Sequence, residues 1–234
     1  MQNAKLKNYI HLHFLVFIAG FTAILGELIT ISAIPLVWFR MLMATVLIFA
    51  YIKIAKVNIR VEPRLLFKFS IAGIIIALHW VTFFASINYA NISIALAMFS
   101  TGAFFASILE PIVFKRKVIW YEILFGIFVI AGIFIITQSE IEYLMGIILG
   151  ISSAFLSSLF AVLNGKFSQK YPATVISFYE FISGVIFITI FILVFRGGFS
   201  LEFFKLSQTD FIYLFILASI CTAYAFIAAV HVMK

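Results

Sequence analysis

The sequence predicts an all-α polytopic membrane protein. Eight transmembrane helices are expected, forming an inverted five-helix repeat whose second copy is incomplete (5+3), with the N-terminus cytoplasmic. Three observations predict this. First, of 234 residues 65% are hydrophobic and only 11% charged, with a mean hydropathy of +1.22; a soluble domain is roughly 45–50% apolar and about 25% charged. Second, the apolar residues fall in continuous runs close to the roughly 20 residues a spanning helix needs, not in the short alternating segments of a β-barrel. Third, the basic residues gather in every second connection.

The spans follow in order, with numbers marking approximate ends. The first, 10–28, lacks a small-residue cleavage site and leads straight into a second span, so it is not a signal peptide. The second, 34–52, opens with Pro35 and contains Arg40. The third, 66–89, carries His79, Thr82, Ser86 and Tyr89, whose spacings of 3, 4 and 3 draw one helical stripe. The fourth, 92–114, pairs Gly102 with Ala106 and Ala103 with Ser107, and closes on Glu110-Pro111. The fifth, 119–137, follows the basic turn Lys115-Arg116-Lys117. The sixth, 143–165, presents Gly146, Gly150, Ala154, Ser157 and Ala161. The seventh, 173–195, begins after Pro172 and holds Glu180. The eighth, 211–232, contains Tyr224. Together they consume most of the chain and leave no room for a soluble domain.

Charge sets the orientation. With the N-terminus inside, Lys5, Lys7, Lys53, Lys56, Arg60, Arg64, Lys68, Lys115, Arg116, Lys117, Lys166, Lys170 and Lys234 all fall on the inner side. Arg196 and Lys205 fall outside, with the acids Glu27, Glu140, Glu142, Glu202 and Asp210, and Arg40 lies within a span. This is a strong positive-inside pattern. The net charge of +7 is therefore a topology signal, and nucleic acid is not a partner, because no basic patch with interleaved aromatics exists. The single cysteine excludes a disulfide framework. No GxxxxGK[ST] loop is present, so the chain holds no ATP-binding drive of that kind.

An internal repeat is visible. Ile34-Pro35-Leu36-Val37-Trp38-Phe39-Arg40 resembles Tyr171-Pro172-Ala173-Thr174-Val175-Ile176-Ser177-Phe178-Tyr179-Glu180, each with Pro at the start and an aromatic pair around a charge one to two turns in. Trp80-Val81-Thr82-Phe83-Phe84-Ala85 resembles Tyr224-Ala225-Phe226-Ile227-Ala228-Ala229. The units are 1–138 and 139–234. A five-helix unit makes the second copy enter from the opposite side, the inverted-repeat architecture of many secondary transporters. Two full copies need ten helices, so the chain reads as C-terminally incomplete; a genuine eight-helix protein is the other reading.

Trp38-Phe39-Arg40 early in the second span, the aromatic-small run of the third, and Leu109-Glu110-Pro111 before Lys115-Arg116-Lys117 together resemble the EamA-like members of the drug/metabolite transporter superfamily. That family ends the fourth and ninth helices with a Glu-Pro element, of which only the first copy is present. The resemblance implies a secondary transporter in the plasma (bacterial inner) membrane, an exporter of a small metabolite such as an amino acid, working by alternating access.

Ionisable groups inside spans are functional by default. Arg40 lies roughly 10 Å below the outer edge at 1.5 Å per residue. It either binds a substrate carboxylate or phosphate or snorkels to the outer headgroups. Glu180 lies at a similar depth from the inner face and either binds an amine, exchanges a proton, or is a neutral hydrogen-bonded acid. The His79 stripe either lines a wet cavity or bonds helices together. Glu110 and Pro111 are expected as a structural or gate element. The expected substrate contacts are Arg40, His79, Trp80, Thr82, Ser86, Ser100, Glu180 and Tyr224, with no catalytic residue, metal or cofactor. The partners expected are a small-molecule substrate and the lipid bilayer; the GxxxG at Gly146 and Gly150 leaves a homodimer open. His11 and His13 point about 200° apart on a helix, a poor chelate. Ser152, Ser153 and His231 only loosely suggest an intramembrane protease. The alternatives to a transporter are an intramembrane enzyme and a non-transporting scaffold or sensor.

Overall fold

The computed structural model describes residues 2–137 and 141–232, without the side chains of residues 2–5, 7, 136, 141, 231 and 232. The expectations resting on the side chains of Lys5, Lys7 and His231, on Glu140 and Lys234, and on the boundary at 138–139 therefore lie outside the described residues.

The described residues are helical throughout their ordered elements. The helices are α1 (Gln2–Leu28), α2 (Ala33–Ile54), α3 (Pro63–Tyr89), α4 (Ile92–Phe99), α5 (Gly102–Phe114), α6 (Trp120–Thr137), α7 (Leu144–Ser168), α8 (Ala173–Phe195), α9 (Gln208–Ala218) and α10 (Ala225–Val232), with a π-helical segment, Ser219–Tyr224, joining the last two. Seven stretches among the described residues are long and apolar enough to cross a membrane. The predicted fifth span corresponds to α6, whose described apolar stretch, Trp120–Ile135, is shorter than the other seven.

Two predicted continuous helices are interrupted. The fourth span breaks at Ser100 and Thr101, whose hydroxyls donate back to the carbonyls of Ala97 (2.6 Å) and Met98 (2.7 Å). Such side-chain bonds compete with the helical ladder, and Gly102 then restarts the helix as α5. The eighth span starts at Gln208, earlier than predicted, and contains the π segment. At its start Ser207 caps the helix by accepting from the Asp210 N–H (3.0 Å). Pro111 sits one turn from the end of α5, and the chain leaves that helix through Lys115 at φ 54°.

The bundle is built around α3, which packs on α7 and α8, while α2 packs on α8. Glycine makes these contacts close: a Cβ at Gly73 would collide with the Glu180 carbonyl, and one at Gly184 would collide with Met41. Between these helices lies the main core, including Leu36, Met41, Ile48, Ile76, Phe84 and Phe181. The outward faces are apolar too, with Phe17, Phe125, Phe128, Phe134 and Phe195 all at least 60% exposed. Exposed apolar surface on that scale needs a covering, and lipid supplies it.

Candidate functional site

On α2, Leu36, Arg40 and Ala44 recur every four residues on one buried stripe, so packing that buries the aliphatic neighbours carries the arginine inward with them. Arg40 is 2% exposed. It does not snorkel to the headgroups. Its Nε donates to Thr222 Oγ1 (2.6 Å) and its Nη2 to the Cys221 carbonyl (3.4 Å). Both partners lie in the π segment, and Thr222 Oγ1 in turn donates to the Leu217 carbonyl (2.7 Å), five residues back. The guanidinium carbon stands 3.8 Å from the centroid of Trp80, a cation–π arrangement. Its Nη1 is buried and has no partner among the described residues.

Glu180 is fully buried on α8. Its Oε2 accepts from Asn164 Nδ2 of α7 (3.2 Å). Glu180 Oε1, Asn164 Oδ1 and Ser177 Oγ are buried without partners among the described residues. Glu180 and Arg40 form no ion pair: each has turned to a different helix.

His79 joins α3 to α7. Its Nδ1 is 2.8 Å from Ser153 Oγ and 3.0 Å from the Ser153 carbonyl, while Ser153 Oγ donates to the His79 carbonyl (3.1 Å). With the serine hydrogen committed there, Nδ1 is the ring's donor and Nε2 the acceptor in the neutral form. The ring lies between Phe99 and Phe160, at centroid distances of 5.6 and 5.4 Å. Ser153 is fully buried, so this Ser–His contact ties helices rather than presenting a nucleophile.

Arg40, His79, Trp80 and Asn164 meet at one cavity of about 270 Å³. Its remaining wall is largely apolar, with Leu15 and Ala19 of α1, Leu96 and Phe99 of α4, Phe160 of α7 and Phe226 of α10. A mostly apolar wall with a few convergent polar groups is the usual make-up of a small-molecule site. Glu180 lies behind Asn164, outside the wall.

The other expected contacts lie elsewhere. Thr82 donates within its own helix to the Leu78 and His79 carbonyls (2.8 and 2.9 Å). Ser86 donates to the Gly146 carbonyl (2.7 Å) and holds α3 to α7. Ser100 is exposed and bonds back to Ala97. Tyr224 is 45% exposed and its hydroxyl meets His11 Nε2 at 3.0 Å. The expected stripe thus separates: His79 reaches the cavity, Thr82 and Ser86 bond to backbone, and Tyr89 is exposed. Glu110 pairs with Arg116, which also reaches Glu122 at 3.3 Å, fastening the end of α5 to the start of α6.

Asn164, Thr222 and the carbonyl of Cys221 are site residues the sequence reading missed. Asn164 carried a usable signal, because an amide in an apolar span needs a partner. The aromatic wall of Phe99, Phe160 and Phe226 carried none, standing among 30 phenylalanines.

Fold and cavity define an integral multi-pass membrane protein with a polar-tipped chamber inside its bundle. The EamA-like transporter family matches residues 7–138, more than half of the chain, and the chain belongs to that family, a family of membrane transporters within the drug/metabolite superfamily. No curated protein matches it. Among solved structures, a crystal structure described only as that of a protein superposes with a TM-score of 0.65 at 12% identity, over 95% of this chain and 79% of the other; that likeness concerns the fold.

Proposed function

We propose that the protein is a secondary transporter that exports a small metabolite, an amino acid or related compound, by alternating access across the plasma (bacterial inner) membrane. The observation that carries the substrate class is a pair of complementary unpartnered groups among the described residues: Arg40 Nη1, a buried donor on a residue of the cavity wall, and Glu180 Oε1, a buried acceptor behind Asn164 and outside that wall. A carboxylate satisfies the first by a charge-assisted bond, and an ammonium group complements the second. The cavity, about 270 Å³, falls just under the ~300 Å³ at which drug-sized pockets begin, which suits a compact metabolite.

The packing supports an inverted repeat. In the 5+3 scheme α1 to α6 form the first unit and α7 to α10 the second. α3 packs against α7 and α8, and the corresponding α9–α10 segment packs against α1 and α2. Substrate between the two units then changes side as one rocks against the other. The charge asymmetry supports a cytoplasmic N-terminus. Small metabolite and bilayer are the partners this reading needs.

The test is net flux of labelled amino acids in vesicles, comparing the wild type with Arg40→Ala and Glu180→Gln. Loss of flux in both supports the site; flux unchanged in both refutes it.

A further inference from the structure

The π segment Ser219–Tyr224 interrupts what would otherwise be one helix from Gln208 to Val232. A π turn spaces its hydrogen bonds over five residues, is rare, and gathers at functional sites. Its effect here is local and specific. In an α-helix the Ala225 N–H would donate to the Cys221 carbonyl, four residues back. Instead it donates to the carbonyls of Ile220 and Thr222. The bypassed Cys221 carbonyl receives Arg40 Nη2 (3.4 Å). Thr222 shows the same shift. A threonine hydroxyl in an α-helix bonds back to a carbonyl three or four residues earlier, whereas Thr222 donates to Leu217, five residues earlier (2.7 Å). With that hydrogen spent, Oγ1 serves as an acceptor, and Arg40 Nε donates to it (2.6 Å).

Both acceptors that hold Arg40 are therefore set by the π register. Closing the segment to a regular α-helix would return the Cys221 carbonyl to Ala225 and take an acceptor from a buried charge, which is costly. The two bonds also decide which part of the guanidinium is used. Nε and the neighbouring hydrogen of Nη2 form one edge of the planar fork, and both are spent on the π turn. Trp80 covers a flat face, 3.8 Å from the guanidinium carbon to the ring centroid. Nη1, away from that edge, is buried with no partner among the described residues. Arg40, Trp80 and Cys221 all belong to the cavity wall. A contact that served packing alone would satisfy the whole fork, because a buried charged donor left unpaired is costlier than a neutral one. Thr222 is itself fully buried and outside that wall, so whatever it does for the cavity it does through Arg40.

We propose that Thr222 is the positioning residue of Arg40: the π turn is a seat that clamps one edge of the guanidinium and leaves Nη1 for a carboxylate in the cavity. The carboxylate in this statement rests on the transport reading above. The seat raises affinity by removing freedom from the arginine before the anion arrives, and Thr222 makes no contact with the anion.

Nitrogen NMR of the full chain in lipid nanodiscs, with arginine labelled at Nε, reads the seat without any transport. The Arg40 signal is identified by its loss in Arg40→Lys. In the wild type it is expected to exchange slowly with water and to shift on titration with acetate, the probe carboxylate. Thr222→Val keeps the shape and removes the acceptor. Its Arg40 signal is expected to exchange roughly tenfold faster and to need roughly tenfold more acetate for half its shift, the worth of one charged hydrogen bond. Thr222→Ala, which removes the hydroxyl without adding bulk, is expected to match it. Thr222→Ser, which restores the hydroxyl, is expected to return both values toward those of the wild type. The proposal is overturned if the valine and alanine variants keep wild-type exchange and acetate affinity, if the serine variant behaves as they do, or if acetate leaves the wild-type signal unmoved. In vesicles with labelled leucine as the probe, Thr222→Val is expected to raise KM by the same factor with the maximal rate kept. A lower maximal rate at unchanged KM overturns the positioning role. Failure of the wild type to move leucine counts against the transport reading alone, since the NMR titration decides the seat by itself.

Discussion

Arg40 is held on three sides. Thr222, the Cys221 carbonyl and the Trp80 face fix its guanidinium, and Nη1 is buried with no partner among the described residues. Lysine cannot reproduce that arrangement, because its compact ammonium neither stacks as a plane nor donates as a fork. Arg40→Lys is therefore expected to transport no better than Arg40→Ala, with both reaching the membrane in normal amounts; flux and immunoblots check this. Asp210 shows a second kind of buried charge. It is 2% exposed and accepts from the Thr30 N–H and hydroxyl (both 2.8 Å) and from Ser207 Oγ (2.7 Å). Bonds to a charged acceptor are each worth about 1.5–3 kcal/mol, so Asp210→Ala is expected to destabilise by at least that much, measured as a lower unfolding temperature in detergent. That contact was partly legible, since Ser207 and Asp210 stand at capping-box spacing, but its long-range partner Thr30 has no local signature. Arg40 and Glu180 were legible as costly charges in apolar spans. Their partners were not, because nothing in the spacing of α2 identifies the hydroxyl 182 residues away that receives Arg40.

Among the elements, the α3–α7 seam shows how polar and small residues cooperate. Cβ atoms at Gly146 and Gly150 would strike Ala90, just past α3, and Met98 of the following α4. The backbones that glycine allows to approach are then bonded by Ser86 to Gly146 and by His79 to Ser153. The GxxxG face is thus covered by the chain's own helices, and a second copy cannot pack on it without parting them. Interhelical hydrogen bonds in membranes average about 0.6 kcal/mol, whereas overpacking costs about 1–3 kcal/mol. Gly150→Val is expected to lower the unfolding temperature more than Ser86→Ala; the reverse order would mean that hydrogen bonding outweighs close approach at this seam. Continuous apolar runs made the spans legible, and the seventh ran 173–195 as expected. The break at Ser100–Thr101 and the π segment were illegible for a physical reason: neither changes hydropathy, and a five-residue backbone step leaves the apolar pattern of α9 and α10 intact.

The whole molecule is a bundle whose polar interior is small and whose exterior is apolar. Composition alone made the membrane class legible. The proposed orientation rests on where lysine and arginine fall; under it, a cysteine placed in the loop after α2, beside Lys56, is expected to react with an impermeant thiol reagent only from the inner side, and one placed beside Gly197 only from the outer side, in a Cys221→Ser background. Reaction with the sides exchanged would reverse the proposed topology. The cavity was legible only as a short roster of polar residues. Their convergence required the third dimension, because it joins α2, α3 and α7 around aromatic side chains that look alike in sequence.

The most direct measurement of the central claim is counterflow of labelled amino acids in proteoliposomes containing the full chain, with unlabelled compound trapped inside. A carrier that exposes one cavity alternately to each side is predicted to accumulate label transiently above the outside level, and Arg40→Ala to abolish that overshoot. Label entering without overshoot, or an overshoot undiminished in Arg40→Ala, would contradict an alternating carrier that binds its substrate at Arg40.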